Sequence, residues 1–332
     1  MDPATTQFLI FTAFNAACLV SGYVARRRGW LSPGFSRGLH TFTVAVLWAS
    51  MNFLCVWAVP LEPSLVWLAV FPTVLIGVGV AWSCAVGKAM RLPRMSLGVV
   101  MISSGVSNTG FTLGAYLCYC LLDDGQGAGG RALAMGVAMV TVMQIAAIPI
   151  LYPLASHFGP ASTGHAVWRL VLKSFWDIRA MPLYAGGAGL VMNTLGATVA
   201  PAVAAPERLL DAWWVQVLIY AGAFGATFGI GMNLHPRGML KPWREHLTLA
   251  SAKYVAFPLG TWALLWLTQW TFAPVEGLLG RMLWIESFMA TGLMSVMVAN
   301  MFHLDARLSA NLWVVNTALF VAVPLPLLIW WA

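Results

Sequence analysis

From Leu65 to Val86 the chain carries no charged residue, and its apolar side chains do not alternate with polar ones. That pattern admits few folds. A helix needs about 20 predominantly apolar residues to cross the hydrocarbon core of a bilayer. Lipid offers backbone groups no hydrogen-bond partner, so a spanning segment is a helix or a strand of a closed barrel. Barrel strands alternate over about ten residues, and this run does not. Similar runs recur along the chain, with 9% of residues charged against 60% hydrophobic. Soluble domains carry about 25% charge. The expected fold class is therefore all-α, a polytopic membrane protein whose first partner is the lipid bilayer.

The apolar runs place ten transmembrane helices near residues 7–25, 39–59, 64–87, 95–122, 131–155, 180–200, 210–234, 247–270, 280–302 and 309–331. The longest stretch without one, 157–179, reads as a basic cytoplasmic connector. It separates a first five-helix repeat, 1–156, from a second, 180–332. Five crossings are an odd number, so a second copy lies upside down relative to the first. Inverted repeats of this kind frame a midplane site with two-sided access in many secondary transporters.

A net charge of +7 would, in a soluble protein, suggest nucleic acid. Here it has a topological account, and no nucleic-acid partner is expected. Of the 18 Lys and Arg, all but Arg131, Arg208 and Arg281 fall in or border the odd-numbered loops, Lys253 among them. Asp2, Glu62, Asp123, Asp124, Glu207, Asp211 and Glu276 collect on the other side. The positive-inside rule makes the basic side cytoplasmic and puts both termini outside. The plasma membrane, a bacterial inner membrane in particular, is the expected location. The start has no basic n-region, and Arg26-Arg27-Arg28 follow the first apolar run in place of a small-residue cleavage site, so that run is expected to stay in the membrane.

The fourth helix reads Ser103-Ser104-Gly105-Val106-Ser107-Asn108-Thr109-Gly110 at its centre, followed by Phe111-Thr112-Leu113-Gly114-Ala115. The ninth reads Met289-Ala290-Thr291-Gly292-Leu293-Met294-Ser295. Glycines loosen a helix and let other backbones approach, and polar groups at mid-membrane need partners. Two such weakened helices, one per half, point to a site where broken helices cross. For Ser103 and Ser104 the simpler reading is a bond back to their own helix. Asn108 and Thr109, level with Thr291 and Gly292, are the candidates for the site.

Glu286 stands well inside the ninth helix and is a candidate for proton or sodium coupling. An interfacial Glu beside Arg281 is the competing reading. Asn15, Asn52 and Asn316 either line a cavity or cross-link helices. Cys18, Cys55, Cys84, Cys118 and Cys120 fall in helices without metal spacing and read as packing groups. The six histidines, His40, His157, His165, His235, His246 and His303, sit in or beside cytoplasmic loops. The 17 Trp suit interfacial belts. No P-loop, Gly-rich nucleotide fingerprint or HExxH is present. Neither a cofactor nor a metal is expected, and enzyme chemistry has no paired nucleophile and base.

At these residues the chain resembles the auxin efflux carrier family of permeases, within the bile acid/arsenite/riboflavin transporter superfamily. Gly22 to Ser32 looks like that family's first helix end and cytoplasmic turn. Asn108-Thr109-Gly110-Phe111 is similar to its Asn-Thr-Gly-Phe on the fourth helix. Gly229 to Leu234 resembles the close of its seventh helix, and Lys253 to Pro258 the Lys…Pro opening of its eighth. Glu286-Ser287, then Ala299-Asn300-Met301-Phe302-His303-Leu304-Asp305, looks like its ninth helix and following turn. Where family members carry a proline in each crossed helix, this chain has Ala115 and Ala290, and Trp48 replaces one on the second helix. The break is therefore expected to rest on Gly110, Gly114 and Gly292.

The resemblance implies an inverted-repeat carrier that moves a small organic anion, a mono- or dicarboxylate or auxin-like acid, by an elevator-like movement. The substrate site it implies comprises Asn108, Thr109, Gly110, Gly114, Ala115, Ala290, Thr291, Gly292 and Ser295, with Glu286 for ion coupling. It is compatible with a homodimer. Two other readings stay open: a sodium-coupled carrier of the bile acid type, and a non-transporting sensor or subunit.

Overall fold

The computed structural model describes residues 3–59, 62–110, 113–159, 172, 175–176, 178–199, 204, 209–232, 234, 236–271 and 273–331. Asp2, Phe111, Thr112, His165, Arg169, Lys173, Glu207, Arg208, Asn233, His235 and most of the 157–179 connector lie outside the described residues, as do the side chains of Arg37, Arg179, Asn300 and Met301.

The described chain is helical, and its sole extended pairing is one antiparallel bridge. In chain order the helices are α1 (Pro3–Arg27), α2 (Pro33–Phe42), α3 (Ala49–Ala58), α4 (Trp67–Ala89), α5 (Arg94–Gly105), α6 (Gly114–Leu121) and α7 (Ala128–Phe158). There follow α8 (Met181–Thr198), α9 (Trp213–Gly231), α10 (Trp243–Ser251), α11 (Phe257–Thr268), α12 (Gly277–Glu286), α13 (Met294–Met301), α14 (Ala306–Ala322) and α15 (Pro324–Trp331). Among the described residues, six helical stretches are long and apolar enough to cross a membrane: Thr6–Arg27, Gly34–Ala58, Pro63–Ala89, Ala128–Ala147, Trp213–Gly231 and Ala306–Trp331. Apolar length and helicity together are what a polytopic membrane protein requires.

Local chemistry sets the ends. Gly29 at φ 72° closes α1 in the left-handed region, where glycine carries no Cβ penalty, and Trp30 N–H then reaches Ala25 O at 3.0 Å. Ser32 caps α2 with Pro33 in its first turn, so the helix starts earlier than residue 39 and takes His40 inside it. There His40 Nε2 lies 3.3 Å from Ala226 O, rather than in a loop. A π turn, Thr43–Trp48, joins α2 to α3, and a second, Ala252–Ala256, joins α10 to α11.

The chain divides into two compact units, Met1–Leu65 with Gly110–Thr141 and Ser174–Leu234, and Val66–Thr109 with Val142–Lys173 and His235–Ala332. Both draw on both halves of the sequence. A repeat relates stretches of chain, whereas a compact unit gathers whichever helices bury each other.

In the first unit α1 packs along α9 and α3 along α8. A Cβ on Gly22 would stand 2.1 Å from Phe228 O, and one on Gly231 would stand 2.0 Å from Leu19 O, so only glycine admits that approach. Asn52 Nδ2 donates to Thr141 Oγ1 and to Pro182 O, which makes it a cross-link of three helices. Asn15 bonds back to Phe11 O on its own helix.

In the second unit α4 packs on α5 and α11, and α5 also meets α10, α13 and α14. Trp82 Nε1 donates to Ser251 Oγ at 3.0 Å, setting the C-terminal half of α4 beside the last residue of α10. Arg94 reaches His157 O at 2.8 Å. Lys88, Arg91, Arg94 and Arg244 therefore share one end of this unit. At its other end Trp67 Nε1 donates to Ala273 O, near Glu276.

Candidate functional site

The fourth and ninth apolar runs are each interrupted. α5 stops at Gly105, Val106 to Thr109 are not helical, with Val106 extended, and helix resumes at Gly114. α12 stops at Glu286, and helix resumes at Met294. Within the second unit the two interruptions pair antiparallel, with Ser107 opposite Thr291. Asn108 N–H donates to Ala290 O at 2.7 Å, and Gly292 N–H donates to Val106 O at 3.0 Å. A Cβ on Gly292 would lie 2.7 Å from Ser107 O, so a side chain there would push the strands apart.

Side chains complete the pairing. Thr291 Oγ1 donates to Ser103 O, the last-turn carbonyl of α5, and also approaches Val106 O at 3.3 Å. Its backbone N–H is taken by Asn316 Oδ1 from α14 at 2.8 Å. Tyr254, on the second π turn, holds α14 in place through its hydroxyl to Asn316 O. Ser295 Oγ caps locally on Gly292 O, and Ser104 Oγ bonds to Gly79 O and Met101 O.

Lys253 is the residue that sequence reasoning misplaced. Expected beside a cytoplasmic loop, it is instead fully buried on the second π turn. Its Nζ donates to Val106 O and Ser107 Oγ, both at 2.8 Å, and stands 4.1 Å from the centre of the Phe257 ring. The ammonium thus sits at the negative end of the α5 dipole. The signal was its position inside an apolar run, where an ionisable residue is a functional candidate. The basic side of the charge partition loses one member by this correction.

Of the expected site residues, the second unit brings together Asn108, Thr109, Ala290, Thr291, Gly292 and Ser295. All six are buried. Thr109 Oγ1 has Met143 Sδ at 4.0 Å. Gly110, Gly114 and Ala115 fall in the first unit, where Ala115 N–H donates to Gly110 O at 3.1 Å and restarts the helix as α6. Glu286, the last residue of α12, is 3% exposed, and neither carboxylate oxygen has a hydrogen-bond partner. It does not reach an outer surface. Among the described residues no cluster of three or more His, Cys, Asp or Glu has the geometry to hold a metal.

No known family model matches the chain, and no curated protein sequence matches it either.

Proposed function

We propose that the chain is a secondary carrier for a small organic anion, built as two inverted five-helix repeats whose fourth and ninth helices break and cross, as the resemblance to auxin efflux carriers implies. The observation that carries this reading is Lys253. A buried ammonium is expensive unless it meets opposite charge. Here it meets two neutral oxygens and the Phe257 ring, while among the described residues the carboxylate of Glu286 has no hydrogen-bond partner. A substrate carboxylate arriving at the crossover supplies the missing charge, and the neighbouring amide of Asn108 and hydroxyl of Thr109 supply donors. Alternating access would then carry the anion across with Glu286 as the proton-exchanging group.

Proteoliposomes loaded with radiolabelled mono- and dicarboxylates test the reading. Wild-type protein should exchange at least one of them, and Asn108→Ala should abolish exchange while folded yield stays constant. Wild-type vesicles that exchange none of these anions, though ligands shift the melting temperature, would favour a sensor.

A further inference from the structure

We propose that the basic end of the second unit is a docking surface for the headgroups of acidic phospholipids, with Lys88, Arg91, Arg94 and Arg244 as its cationic groups. Three helices of the chain close on the same Schellman turn. After α1, Gly29 N–H donates to Arg26 O and Trp30 N–H to Ala25 O, with Gly29 at φ 72°. After α4, Arg91 N–H donates to Lys88 O at 3.0 Å and Leu92 N–H to Gly87 O at 2.9 Å, but the left-handed position holds Arg91 at φ 55°. After α13, Leu304 N–H donates to Ala299 O and His303 stands at φ 56°. Glycine adopts this backbone at least cost. An exposed arginine there gives up that ease for a side chain with no hydrogen-bond partner among the described residues.

The cations share one end by construction. Contacts between α4 and the α10–α11 stretch run in opposite directions. Trp82 meets Ser251, a Cβ on Gly79 would meet the Phe257 ring, and one on Gly260 would meet Leu75. Continuing that register brings Arg244 level with the end of α4. Arg94 Nη2 donates to His157 O at 2.8 Å, and a Cβ on Gly159 would stand 2.8 Å from Phe302 O, which sets the His303 turn at the same end. Lys88, Arg91, Arg94 and Arg244 are exposed, and among the described residues none of them makes an ion pair. Of the acids here, Asp305 accepts from Leu308 N–H as the cap of α14, and Glu245 is half-buried in the first turn of α10.

The partner that fits is anionic and apolar at once. Leu240 and Trp243 flank these cations at 72% and 57% exposed, and the Arg244 guanidinium lies 5.5 Å from the centre of the Trp243 ring. Free phosphate would leave both apolar groups in water. A phospholipid sets its phosphate among the cations and its acyl chains against Leu240 and Trp243. The charge partition predicts that this end faces the cytoplasmic leaflet, where acidic lipids collect and basic pockets among transmembrane helices hold their headgroups. The surface does not depend on the transport reading, since a sensor with these residues would carry it too.

Melting of the full chain in nanodiscs of phosphatidylcholine, with and without phosphatidylglycerol, tests this. Phosphatidylglycerol should raise the wild-type melting temperature by about 3 °C, and no rise would overturn the proposal. Arg91→Gly suits the left-handed turn, so in phosphatidylcholine alone it should melt no lower than wild type, while losing about half of the rise. A lower melting temperature there would give the side chain a structural role and overturn its part in the surface. Arg244→Gln should lose a similar share. Arg27→Gln removes an exposed arginine of the first unit and should keep the rise, because bulk membrane charge would count every arginine alike. Full retention of the rise by Arg91→Gly or Arg244→Gln, or an equal loss in Arg27→Gln, would overturn the proposal. So would an equal rise from inorganic phosphate added to the neutral discs.

Discussion

Asn108 gives its backbone N–H to Ala290 O, and two residues to either side Gly292 returns the bond to Val106 O. Each interrupted helix thereby satisfies the other. A helix break leaves N–H and C=O groups without their usual partners, and a buried unsatisfied group costs about 1–3 kcal/mol. Reciprocal bonding offsets that cost with no proline in either strand, because the break is held open by its partner instead of by a missing donor.

Gly292→Ala tests the closeness of the pair. The added methyl would meet Ser107 O at 2.7 Å and Val106 Cγ1 at 2.8 Å, and Ser107 O, a backbone atom of the bridge, cannot retreat without disturbing it. Overpacking of this kind costs about 1–3 kcal/mol, read as a lower melting temperature in detergent. Gly110→Ala is the control, since its nearest neighbour would be Val140 Cγ2 at 3.9 Å. Equal losses for the two would contradict the pairing.

Thr291→Val removes the hydroxyl that binds Ser103 O while keeping shape. The variant should lose about 1–3 kcal/mol. Asn316→Leu should cost a similar amount by freeing the Thr291 N–H. Both residues meet at one peptide, so the double variant should lose less than the sum of the singles. Thermal denaturation of the four proteins gives the coupling, and strict additivity would argue that the two bonds act separately.

How much of this was legible in the sequence differs by feature. The Leu65–Val86 run announces a spanning helix because lipid leaves no other solution for such a stretch. The Gly and Thr of Thr291-Gly292 announce a weak point, because both residue types are poor at filling a mid-membrane helix. What could not be read was which carbonyl each orphan group would meet, since Val106 and Ala290 are ordinary apolar residues whose role is carried by the backbone. The π turn at Thr43–Trp48 was invisible for the same reason: its residues are unremarkable, and one inserted position in a helix has no composition. Lys253 was present in the sequence as a signal but was assigned by proximity to a loop. Leu249, Ala252, Lys253, Ala256 and Phe257 are all buried, so the period of 3.6 puts Lys253 on the inward face.

Lys253→Met keeps the length of the stem and removes the charge. Replacing a buried charge by an apolar group of similar volume is often neutral for stability, so folded yield should hold. If the chain is the proposed anion carrier, carboxylate exchange should fall at least tenfold, about 1.4 kcal/mol in substrate affinity. Lys253→Arg should restore part of it. Undiminished exchange in the Met variant would detach the ammonium from the substrate.

Asp124 lies in the exposed loop before α7, where its carboxylate accepts from the N–H groups of Gln126 and Ala128 at 2.8 and 3.1 Å. Those bonds, that of Gln126 first, hold its pKa below the usual carboxylate value. A lowered folded pKa contributes stability above the unfolded value of about 3.9, and that stability is lost as pH falls through the lowered one. Asp124→Ala should therefore melt below wild type at neutral pH, with the gap closing as the solution is acidified past about pH 4. A gap that stays constant through the acid titration would argue against the turn.

Glu286 is the sharper test of coupling. Its two oxygens lack partners inside the second unit, so the ionised form has nothing near it to offset the loss of water. Glu286→Gln keeps the shape and cannot exchange a proton. It should leave the fold intact, since no ion pair is broken. If the residue exchanges the coupled proton, net flux driven by a pH gradient should vanish, while exchange of labelled for unlabelled anion, which needs no net proton movement, should persist. Replacing sodium by choline at constant pH and membrane potential should then change neither rate in wild type. Loss of flux on sodium removal would reassign the carboxylate as a sodium ligand and favour the bile-acid type of carrier. A Gln variant whose pH-driven flux matches wild type would take Glu286 out of coupling altogether.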